Sequence, residues 1–398
     1  MVEYFGEVGM RLNNNVYLIF GESGNARLYD LRNEFAQIYH MNNEEADRIR
    51  DFLNGKDNCI NDQLKDLISK GTIVDSDADM IENNSYEQKI KFAWIEITKG
   101  CPYKCGHCYN ESDKHLNLKS MSFDDFKNAC DKLKRYGINR VTLIGGEPTI
   151  HPRFIDFLSY CSELFDDIEV FTNGYVCSEE MIEIYKKNKI KIALSYYSDI
   201  CDEYEKVTSV KGSFERISHT IGLLQKHNIK YRLHCVQMKD IDHTDEFLEK
   251  LDGRPDYPKM CGSATFDLYD KNMLINKCID INRFKQKPTS AEIMRNMKGH
   301  NCYSEKIYVD CELNVFPCSM ERKLSHGNIK DAELADVLKD DIMLLNKDHV
   351  QGCSDCEYRY ACFDCRSDRI SENHLQKPWY CLYDEKKGIW KKVDDIIR

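Results

Sequence analysis

Three cysteines stand close together in one short loop, directly after an apolar run at residues 92–97. Cys101, Cys105 and Cys108 have the spacing C-x3-C-x2-C. Thiolate sulfur is the ligand that holds the irons of a four-iron cluster in proteins. Three thiolates for four irons leave one iron open, so a small molecule could bind there and receive an electron. The other interpretation is zinc, but a structural zinc site usually pairs two C-x2-C units to reach four ligands.

After residue 86 the sequence alternates between strand-like apolar runs and helical patterns. The predicted strands are at residues 92–97, 140–144, 168–171, 190–194, 230–236 and 264–268, and the predicted helices are at 123–135, 154–161, 179–187 and 214–226. Repeated strand–helix units give a parallel sheet covered by helices. They are too few here to close an eight-stranded barrel. The sequence therefore predicts an α/β fold with a partial (β/α)6 barrel over residues 86–290.

Polar and small residues follow several of these strands directly. The cysteine loop follows the first strand, Gly145-Gly146-Glu147-Pro148 the second, Asn173 the third and Ser195 the fourth. Glycine lets the backbone approach a ligand closely, and a carboxylate can accept strong hydrogen bonds from a cation. In parallel α/β folds the chemistry lies beyond the carboxyl ends of the strands. We therefore expect these loops to form one site.

The cysteine spacing, with Gly-Gly-Glu-Pro one strand–helix unit later, resembles the radical S-adenosylmethionine (SAM) superfamily. The resemblance implies a 4Fe–4S cluster on the three loop cysteines, with SAM bound to the open iron. Reductive cleavage of SAM would then give a 5′-deoxyadenosyl radical that takes a hydrogen atom from the substrate. The residues that the resemblance places against SAM are His107, Gly145, Gly146, Glu147, Asn173 and Ser195. His107 would lie near the adenine and Glu147 near the methionyl ammonium.

A second cysteine-rich region occupies residues 291–398. Its cysteines are Cys302, Cys311, Cys318, Cys353, Cys356, Cys362, Cys365 and Cys381. This number of thiols could hold two four-iron clusters, and cysteine arithmetic alone also allows two structural zinc sites. A predicted hairpin, with strands at residues 306–310 and 314–316, lies within the region.

Attached to such a barrel, this region resembles the SPASM domain, which carries two auxiliary 4Fe–4S clusters. The resemblance implies an outer set of ligands, Cys353, Cys356, Cys362 and Cys381. It implies an inner set, Cys302, Cys318 and Cys365, with Cys311 in the hairpin turn as the candidate fourth ligand. Without Cys311 the inner cluster would have an open iron that could bind a substrate thiolate. The chain would then hold three clusters in total.

Residues 1–85 have a different pattern, with a predicted strand pair at 16–20 and 26–29 and a third strand at 72–74. Helices are predicted at 44–53 and 61–69, with Asn43 and Asn61 as their N-caps. Strands with short helices of this size resemble a winged-helix unit of the kind that recognises leader peptides. The polar stretch at 75–88 reads as a linker.

Composition limits the classes of partner and compartment. The chain has 398 residues, 19 cysteines and a formal net charge of −11. The acidic charge disfavours nucleic acid, and the sequence has no signal peptide or apolar run long enough for a membrane span. Clustered cysteines then favour a reducing cytoplasm. The cysteines outside the two sites are predicted to be small buried apolar residues: Cys59, Cys130, Cys161, Cys177, Cys201, Cys235, Cys261 and Cys278.

The segment from Cys356 to Arg366, with Lys377 to Asp384, is similar to SPASM-type peptide maturases. The similarity implies that the enzyme modifies a ribosomally made precursor peptide, whose leader binds the N-terminal domain. It also implies hydrogen abstraction that ends in a crosslink, through a thioether, carbon–carbon or carbon–oxygen bond, with an external electron donor such as flavodoxin or ferredoxin. The alternatives are a maturase that oxidises a sulfatase residue to formylglycine, and a non-enzymatic zinc-binding scaffold. The formylglycine maturase needs no leader-binding domain, and the zinc scaffold has no need of Gly-Gly-Glu-Pro after the second strand.

Overall fold

The structure is a computed structural model that describes residues 9–76, 89–110, 119–300, 302–339 and 341–395. In the N-terminal part the elements are β1 (Met10–Leu12), β2 (Val16–Phe20), β3 (Ala26–Asp30), β4 (Gln37–Met41), α1 (Asn43–Leu53), α2 (Asp62–Ser69) and β5 (Ile73–Asp75). These confirm the predicted strand pair and both helices. The predicted boundary at residues 85/86 and most of the predicted linker lie outside the described residues.

The three-stranded antiparallel sheet β2-β3-β4 is covered on both faces. One face packs against α1 and α2 in a core that includes Leu28 and Ile49. The other packs Tyr29 against Ile293 and Tyr360 from the far end of the chain. The Tyr29 hydroxyl also donates a hydrogen bond of 2.8 Å to the Glu357 carbonyl. The N-terminal unit is thus docked on the second cysteine-rich region.

The predicted N-cap of α2 is confirmed, and that of α1 is wrong by one residue. Asn61 accepts a hydrogen bond from the Leu64 amide. At α1 the cap is Asn42, whose side chain accepts from the Glu45 amide while the Glu45 carboxylate accepts from the Asn42 amide. This reciprocal pair is a capping box, which satisfies two amides that the first turn leaves free.

The barrel region contains β6 (Phe92–Thr98), α3 (Phe123–Tyr136), β7 (Arg140–Gly145), α4 (Phe154–Leu164), β8 (Asp167–Thr172), α5 (Glu179–Asn188), β9 (Lys191–Ser195), α6 (Cys201–Thr208), α7 (Ser213–Lys226), β10 (Tyr231–His234) and α8 (Asp245–Glu249). The C-terminal part contains α9 (Lys271–Lys277), α10 (Ser290–Lys298), β11 (Lys306–Val309), β12 (Asn314–Phe316), β13 (Gly327–Asn328), α11 (Leu334–Val337), β14 (Tyr383–Asp384) and β15 (Ile389–Trp390). The first five predicted barrel strands and the hairpin are confirmed.

One sheet of eight strands runs in the order β10-β9-β8-β7-β6-β11-β12-β13. Neighbours from β10 to β6 are parallel, and a fully buried core beneath them joins the strands to the helices. The sixth parallel strand is β11, which pairs with β6 through Ile307 and Ala93. The sheet therefore continues across the predicted domain boundary at residue 290, and that boundary stays a prediction.

The predicted strand at 264–268 is wrong, because Phe266–Leu268 forms a single 3₁₀ turn. Its backbone groups already have partners elsewhere. The Ser263 amide donates to the Cys108 carbonyl at 2.9 Å, and the Leu268 carbonyl accepts from the Lys239 amide at 3.1 Å. The segment is thus held against the cysteine loop and does not extend along β10.

The prediction that the scattered cysteines are small buried residues is confirmed for four of them and wrong for two. Cys130, Cys161, Cys235 and Cys278 are buried, whereas Cys59 and Cys201 are exposed. Both exposed residues lie at or near the start of a helix, where their side chains face away from the core. In the described part of the chain, no helix is long and apolar enough to cross a membrane.

Candidate active site

A cavity lies at the carboxyl ends of the parallel strands and gathers nearly all the predicted cofactor-binding residues of the barrel. The predicted residues that line it are Cys101, Cys105, His107, Cys108, Gly145, Gly146, Asn173 and Ser195. They come from the loops after β6, β7, β8 and β9. Glu147 does not line the cavity. The meeting of four loops follows from the parallel direction of the strands.

The three loop cysteines are held close together by their own backbone and by Asn173. The Cys108 amide donates to the Cys105 carbonyl at 3.1 Å. The Asn173 side-chain amide lies 3.5 Å from the Cys101 sulfur, and the Tyr103 amide lies 3.4 Å from the same sulfur. Burial, and then the charges of Cys101 and Cys108, raise the pKa of the Cys105 thiol. Crowded thiolates of this kind are stabilised when a cation binds them.

The donor set suits a four-iron cluster with one open iron, because three soft thiolates lie on one short loop beside the cavity. In a four-iron cluster each cysteine binds a different iron, so the sulfurs lie apart around the cluster.

Two glycines allow the loop after β7 to lie directly on the cysteine loop. A Cβ at Gly145 would lie 2.4 Å from the Thr98 carbonyl oxygen, and one at Gly146 would lie 2.3 Å from that of Gly100. The Gly146 amide donates to the Thr98 carbonyl at 2.8 Å. The glycines therefore permit close approach to the backbone that carries the cysteines.

With SAM as the ligand that the resemblance implies, Gly146→Ala is expected to reduce SAM cleavage by at least about 100-fold, because the new methyl group must push the cysteine loop away. Overpacking of this kind also destabilises a fold by about 1–3 kcal/mol. The measurement is 5′-deoxyadenosine formed with SAM and dithionite, together with the melting temperature.

The matched control is Gly222→Ala in α7, where a Cβ would meet no atom within 4 Å. Alanine is the better helix former by up to about 1 kcal/mol. This variant is expected to keep full cleavage activity and equal or higher stability. Equal activity of the Gly146 and Gly222 variants would contradict the packing argument.

Glu147 is fully buried, and its carboxylate is occupied by the protein itself. One oxygen accepts from the Thr149 amide at 3.0 Å and from the hydroxyls of Thr149 and Thr172 at 2.6 and 2.5 Å. The other accepts from the Asn173 amide at 2.7 Å. Glu147 thus joins the loops after β7 and β8 and fixes Asn173 beside Cys101. The predicted contact of its carboxylate with an ammonium group stays a prediction.

His107 places an unpartnered nitrogen at the cavity. Within the described residues its buried Nδ1 atom has no hydrogen-bond partner. Burial lowers the pKa of His107 to about 4, so the imidazole is neutral. Its ring makes an edge contact with Tyr197, with ring centroids 5.2 Å apart. A neutral flat ring with a free nitrogen suits a nucleobase such as adenine.

The assignment of the cysteines of the second region to an outer and an inner set stays a prediction. Burial raises the pKa of Cys353 to about 12, and it also raises the pKa values of Cys356 and Cys381. The charge of Cys362 contributes to all three of these rises. In the inner set, the charge of Cys318 contributes to the raised pKa values of Cys302 and Cys365.

Cys311 contacts strand β6 and the segment before α3. Its sulfur is 3.5 Å from the Lys119 carbonyl, and its amide donates to the Glu96 carboxylate at 3.3 Å. Burial, then Glu96, raise the pKa of Cys311 to about 12. The interactions of Cys311 therefore support a structural role at the end of β6.

A buried group of charges beside the outer set was missed in the sequence. The Lys347 ammonium lies 3.1 Å from the Cys362 sulfur and 2.7 Å from the Asp364 carboxylate. Arg366 pairs with the same carboxylate. Burial disfavours the charged lysine, but Asp364 and Cys362 outweigh it and hold the pKa of Lys347 above its ordinary value. A single lysine that precedes a cysteine motif gives no indication in the sequence that it is buried beside a thiol.

A second missed group connects the barrel to the hairpin. Glu96 is fully buried in β6 and accepts hydrogen bonds from the Tyr308 hydroxyl at 2.5 Å and the Asn110 amide at 3.0 Å. Arg322 lies 3.5 Å from the same carboxylate and stacks on the Tyr308 ring. A signal was available here, since a carboxylate inside an apolar strand needs a partner.

Comparisons with known proteins agree with this geometry. A model of the radical SAM superfamily matches residues 95–251. The antilisterial bacteriocin subtilosin biosynthesis protein AlbA of Bacillus subtilis (strain 168) is 30% identical over 226 residues, which cover 56% of this chain and 49% of AlbA. The sporulation killing factor maturation protein SkfB of the same strain is 26% identical over 136 residues, which cover 34% of this chain and 33% of SkfB.

Among solved structures, Streptococcus suis SuiB bound to precursor peptide SuiA matches with a TM-score of 0.52 and 14% identity. The match covers 92% of this chain and 98% of SuiB, and at this identity it shows the fold alone. The curated relatives are matched over only part of their length, 49% for AlbA and 33% for SkfB.

Proposed function

We propose that this chain, which carries a radical SAM domain at residues 95–251, is a radical SAM enzyme that crosslinks a ribosomally made precursor peptide. The observation that carries the proposal is the cavity where the C-x3-C-x2-C loop meets Gly145, Gly146 and Asn173. The names of AlbA, SkfB and SuiB, with their peptide products or partner, support a peptide as the substrate class. The kind of bond formed is part of the proposal.

Cys101, Cys105 and Cys108 would hold a four-iron cluster that, with bound SAM, supplies a radical able to take a hydrogen atom from the peptide. Asn173 orients Cys101 through the hydrogen bond to its sulfur. Gly145 and Gly146 set the distance between the two loops. His107 and Tyr197 form an aromatic wall of the cavity, which keeps water from the reacting atoms.

The outer and inner cysteine sets would hold two auxiliary four-iron clusters, for three clusters in the chain. A crosslink removes two hydrogen atoms from the peptide, one as a hydrogen atom and one as a proton plus an electron. The auxiliary clusters would supply an acceptor for that electron. An external donor such as flavodoxin or ferredoxin, and a reducing compartment such as the cytoplasm, belong to the same proposal.

We expect Lys347→Met to lower the reduction potential of the outer cluster selectively. Reduction adds negative charge, which a buried ammonium beside the Cys362 sulfur stabilises. One unit charge at about 6 Å with an effective dielectric of about 20 is worth about 3 kcal/mol, or on the order of 100 mV. The measurement is a potentiometric titration followed by electron paramagnetic resonance (EPR).

The control is Lys339→Met, because Lys339 is exposed and pairs with the nearby, likewise exposed Asp336. Its substitution is expected to leave all potentials unchanged. If the reduction potential of the outer cluster is unchanged in the Lys347 variant, this lysine only neutralises the charge of Asp364.

The N-terminal unit is the proposed binding site for the leader of the precursor. Strand β4 is at the edge of its sheet, with β3 on one side, and an exposed edge can accept an additional strand from a peptide. Leader binding there would raise the local concentration of the rest of the peptide at the cavity. The unit docks on the segment around Glu357, so it is placed next to the outer cysteine set.

Two alternative functions would need different features of the fold. A maturase that oxidises a sulfatase residue to formylglycine needs no leader-binding unit, so the folded unit at β1–β5 disfavours it. A zinc scaffold needs neither the Gly-Gly contact with the cysteine loop nor a cavity beside it.

The test is anaerobic purification and cluster reconstitution, followed by assay of 5′-deoxyadenosine with SAM and dithionite and a count of iron and zinc. Iron near twelve per chain, for about three four-iron clusters, with the nucleoside formed, is the expected result. Adding a precursor peptide encoded beside the gene should then give a product lighter by two hydrogens. Zinc without iron, and no nucleoside, would reject the proposed function in favour of the scaffold.

A further inference from the structure

The inner cysteine set is one ligand short. The resemblance supplies only three ligands for this set, Cys302, Cys318 and Cys365, whereas Cys311 is held by Glu96 and the Lys119 carbonyl. A four-iron cluster fully ligated by protein needs four thiolates. A fourth thiol would have to come from another segment next to the turns that carry Cys318 and Cys365.

Cys261, in the loop that leads away from β10, has such a position. The amide of the preceding residue, Met260, donates to the Asp368 carboxylate at 2.9 Å. Asp368 belongs to the turn that begins at Cys365, since its own amide donates to the Cys365 carbonyl at 3.1 Å. Cys261 is therefore tied to the Cys365 turn through one side chain.

The other side of Cys261 faces the turn after Cys318. Cys261 shares a cavity wall with Met320 and Glu321, and the Glu321 amide donates to the Cys318 carbonyl at 3.1 Å. Cys261 thus lies in the same cavity wall as the turn that carries Cys318.

The anchoring of this segment favours a fixed ligand over a mobile thiol. Lys277 is almost fully buried and pairs with the Asp368 carboxylate at 2.5 Å, which fixes the acceptor that Met260 uses. On the other side of Cys261, the Ser263 amide donates to the Cys108 carbonyl at 2.9 Å. Hydrogen bonds on both sides hold the backbone of Cys261 in place.

We infer that Cys261 is the fourth protein ligand of the inner auxiliary cluster, in place of Cys311. Ligation forms one iron–sulfur bond and releases the thiol proton to solvent, with no change of oxidation state. The inference rests on the proposed iron–sulfur content of the chain. It deepens that proposal, because a fully ligated inner cluster has no open iron for a substrate thiolate. Cys261 also lines the cavity with Cys101 and Cys108, so it would connect the inner cluster to the cavity wall.

The experiment uses the full chain with Cys101, Cys105 and Cys108 replaced by alanine, so that only auxiliary clusters remain. The probe is ¹³C-cyanide, which binds an iron that lacks a protein ligand, and the readouts are iron content and the ¹³C coupling in EPR of the reduced protein. This background should hold about eight irons and show no ¹³C coupling. Adding Cys261→Ala should introduce the coupling or lower the iron to about four. Adding Cys311→Ala instead should change neither.

Three results would overturn the inference: ¹³C coupling with Cys261 present, an unaltered spectrum and iron content after Cys261→Ala, or the expected change after Cys311→Ala. If the alanine variant loses all iron, Cys261→Ser decides, since its oxygen can still bind iron. A changed EPR signal of one cluster only would support ligation, and two unchanged signals would overturn it. Zinc or no iron in the background protein would instead reject the proposed auxiliary clusters themselves.

Discussion

Replacing Cys101, Cys105 and Cys108 together with alanine is expected to abolish the formation of 5′-deoxyadenosine from SAM. The three thiols are the only protein ligands proposed for the cluster at the cavity, and their loop is the part that Gly146 and Asn173 hold in place. The auxiliary sets are built from other segments, so their iron should remain. The iron content should fall from about twelve to about eight per chain. The measurements are nucleoside formation and iron count on the same sample.

The control for this triple variant is Cys201→Ala, because Cys201 is an exposed cysteine on a barrel helix. It is expected to keep full cleavage activity and full iron. Unchanged cleavage in the triple variant would remove the basis of the proposed function. Loss of all iron would show instead that the auxiliary sets depend on this loop, which contacts the Cys261 segment through Ser263.

Local sequence motifs were sufficient to predict which loops meet at the candidate site. The cysteine loop, Gly145-Gly146 and Asn173 each follow a strand directly, and the parallel direction of the strands brings those loops together. A local signal was also misread at α1. Asn42 and Asn43 are both good cap residues, but only Asn42 has a glutamate three residues later, which is the capping-box spacing.

The features that the sequence did not reveal depend on contacts between distant segments. The sixth parallel strand is at Lys306–Val309, next to β6, and pairing over so long a stretch of chain leaves no trace in local periodicity. The segment at 264–268 has strand-like composition, but the Ser263 amide just before it bonds to the cysteine loop and its Leu268 carbonyl accepts from Lys239. In the same way, Cys261 is one of the scattered cysteines in the sequence, but in the fold the preceding residue, Met260, donates a hydrogen bond to Asp368.

Replacing Cys353 and Cys356 together with alanine is expected to separate SAM cleavage from peptide modification. Cleavage requires the cavity cluster, whose ligands this variant keeps, so nucleoside should still form within about tenfold of the wild-type rate. The crosslinked product should fall by at least about 100-fold, because crosslinking releases an electron and the outer set would hold part of the group that accepts it. The measurements are the nucleoside yield and the mass of the peptide.

Uncoupling alone does not prove an electron-accepting role, because the outer set lies next to the docked N-terminal unit. The Tyr29 hydroxyl donates to the Glu357 carbonyl, one residue beyond Cys356, and the Arg359 guanidinium donates to the Phe20 carbonyl at 3.3 Å. Tyr29→Phe removes one of these contacts and leaves every cysteine in place. If it uncouples the reaction as strongly as the cysteine variant, the outer set acts by holding the N-terminal unit in place. If Tyr29→Phe still couples SAM cleavage to peptide modification while the cysteine variant does not, the effect belongs to the outer cluster. If the cysteine variant still forms the full amount of product, the outer set is only a structural site.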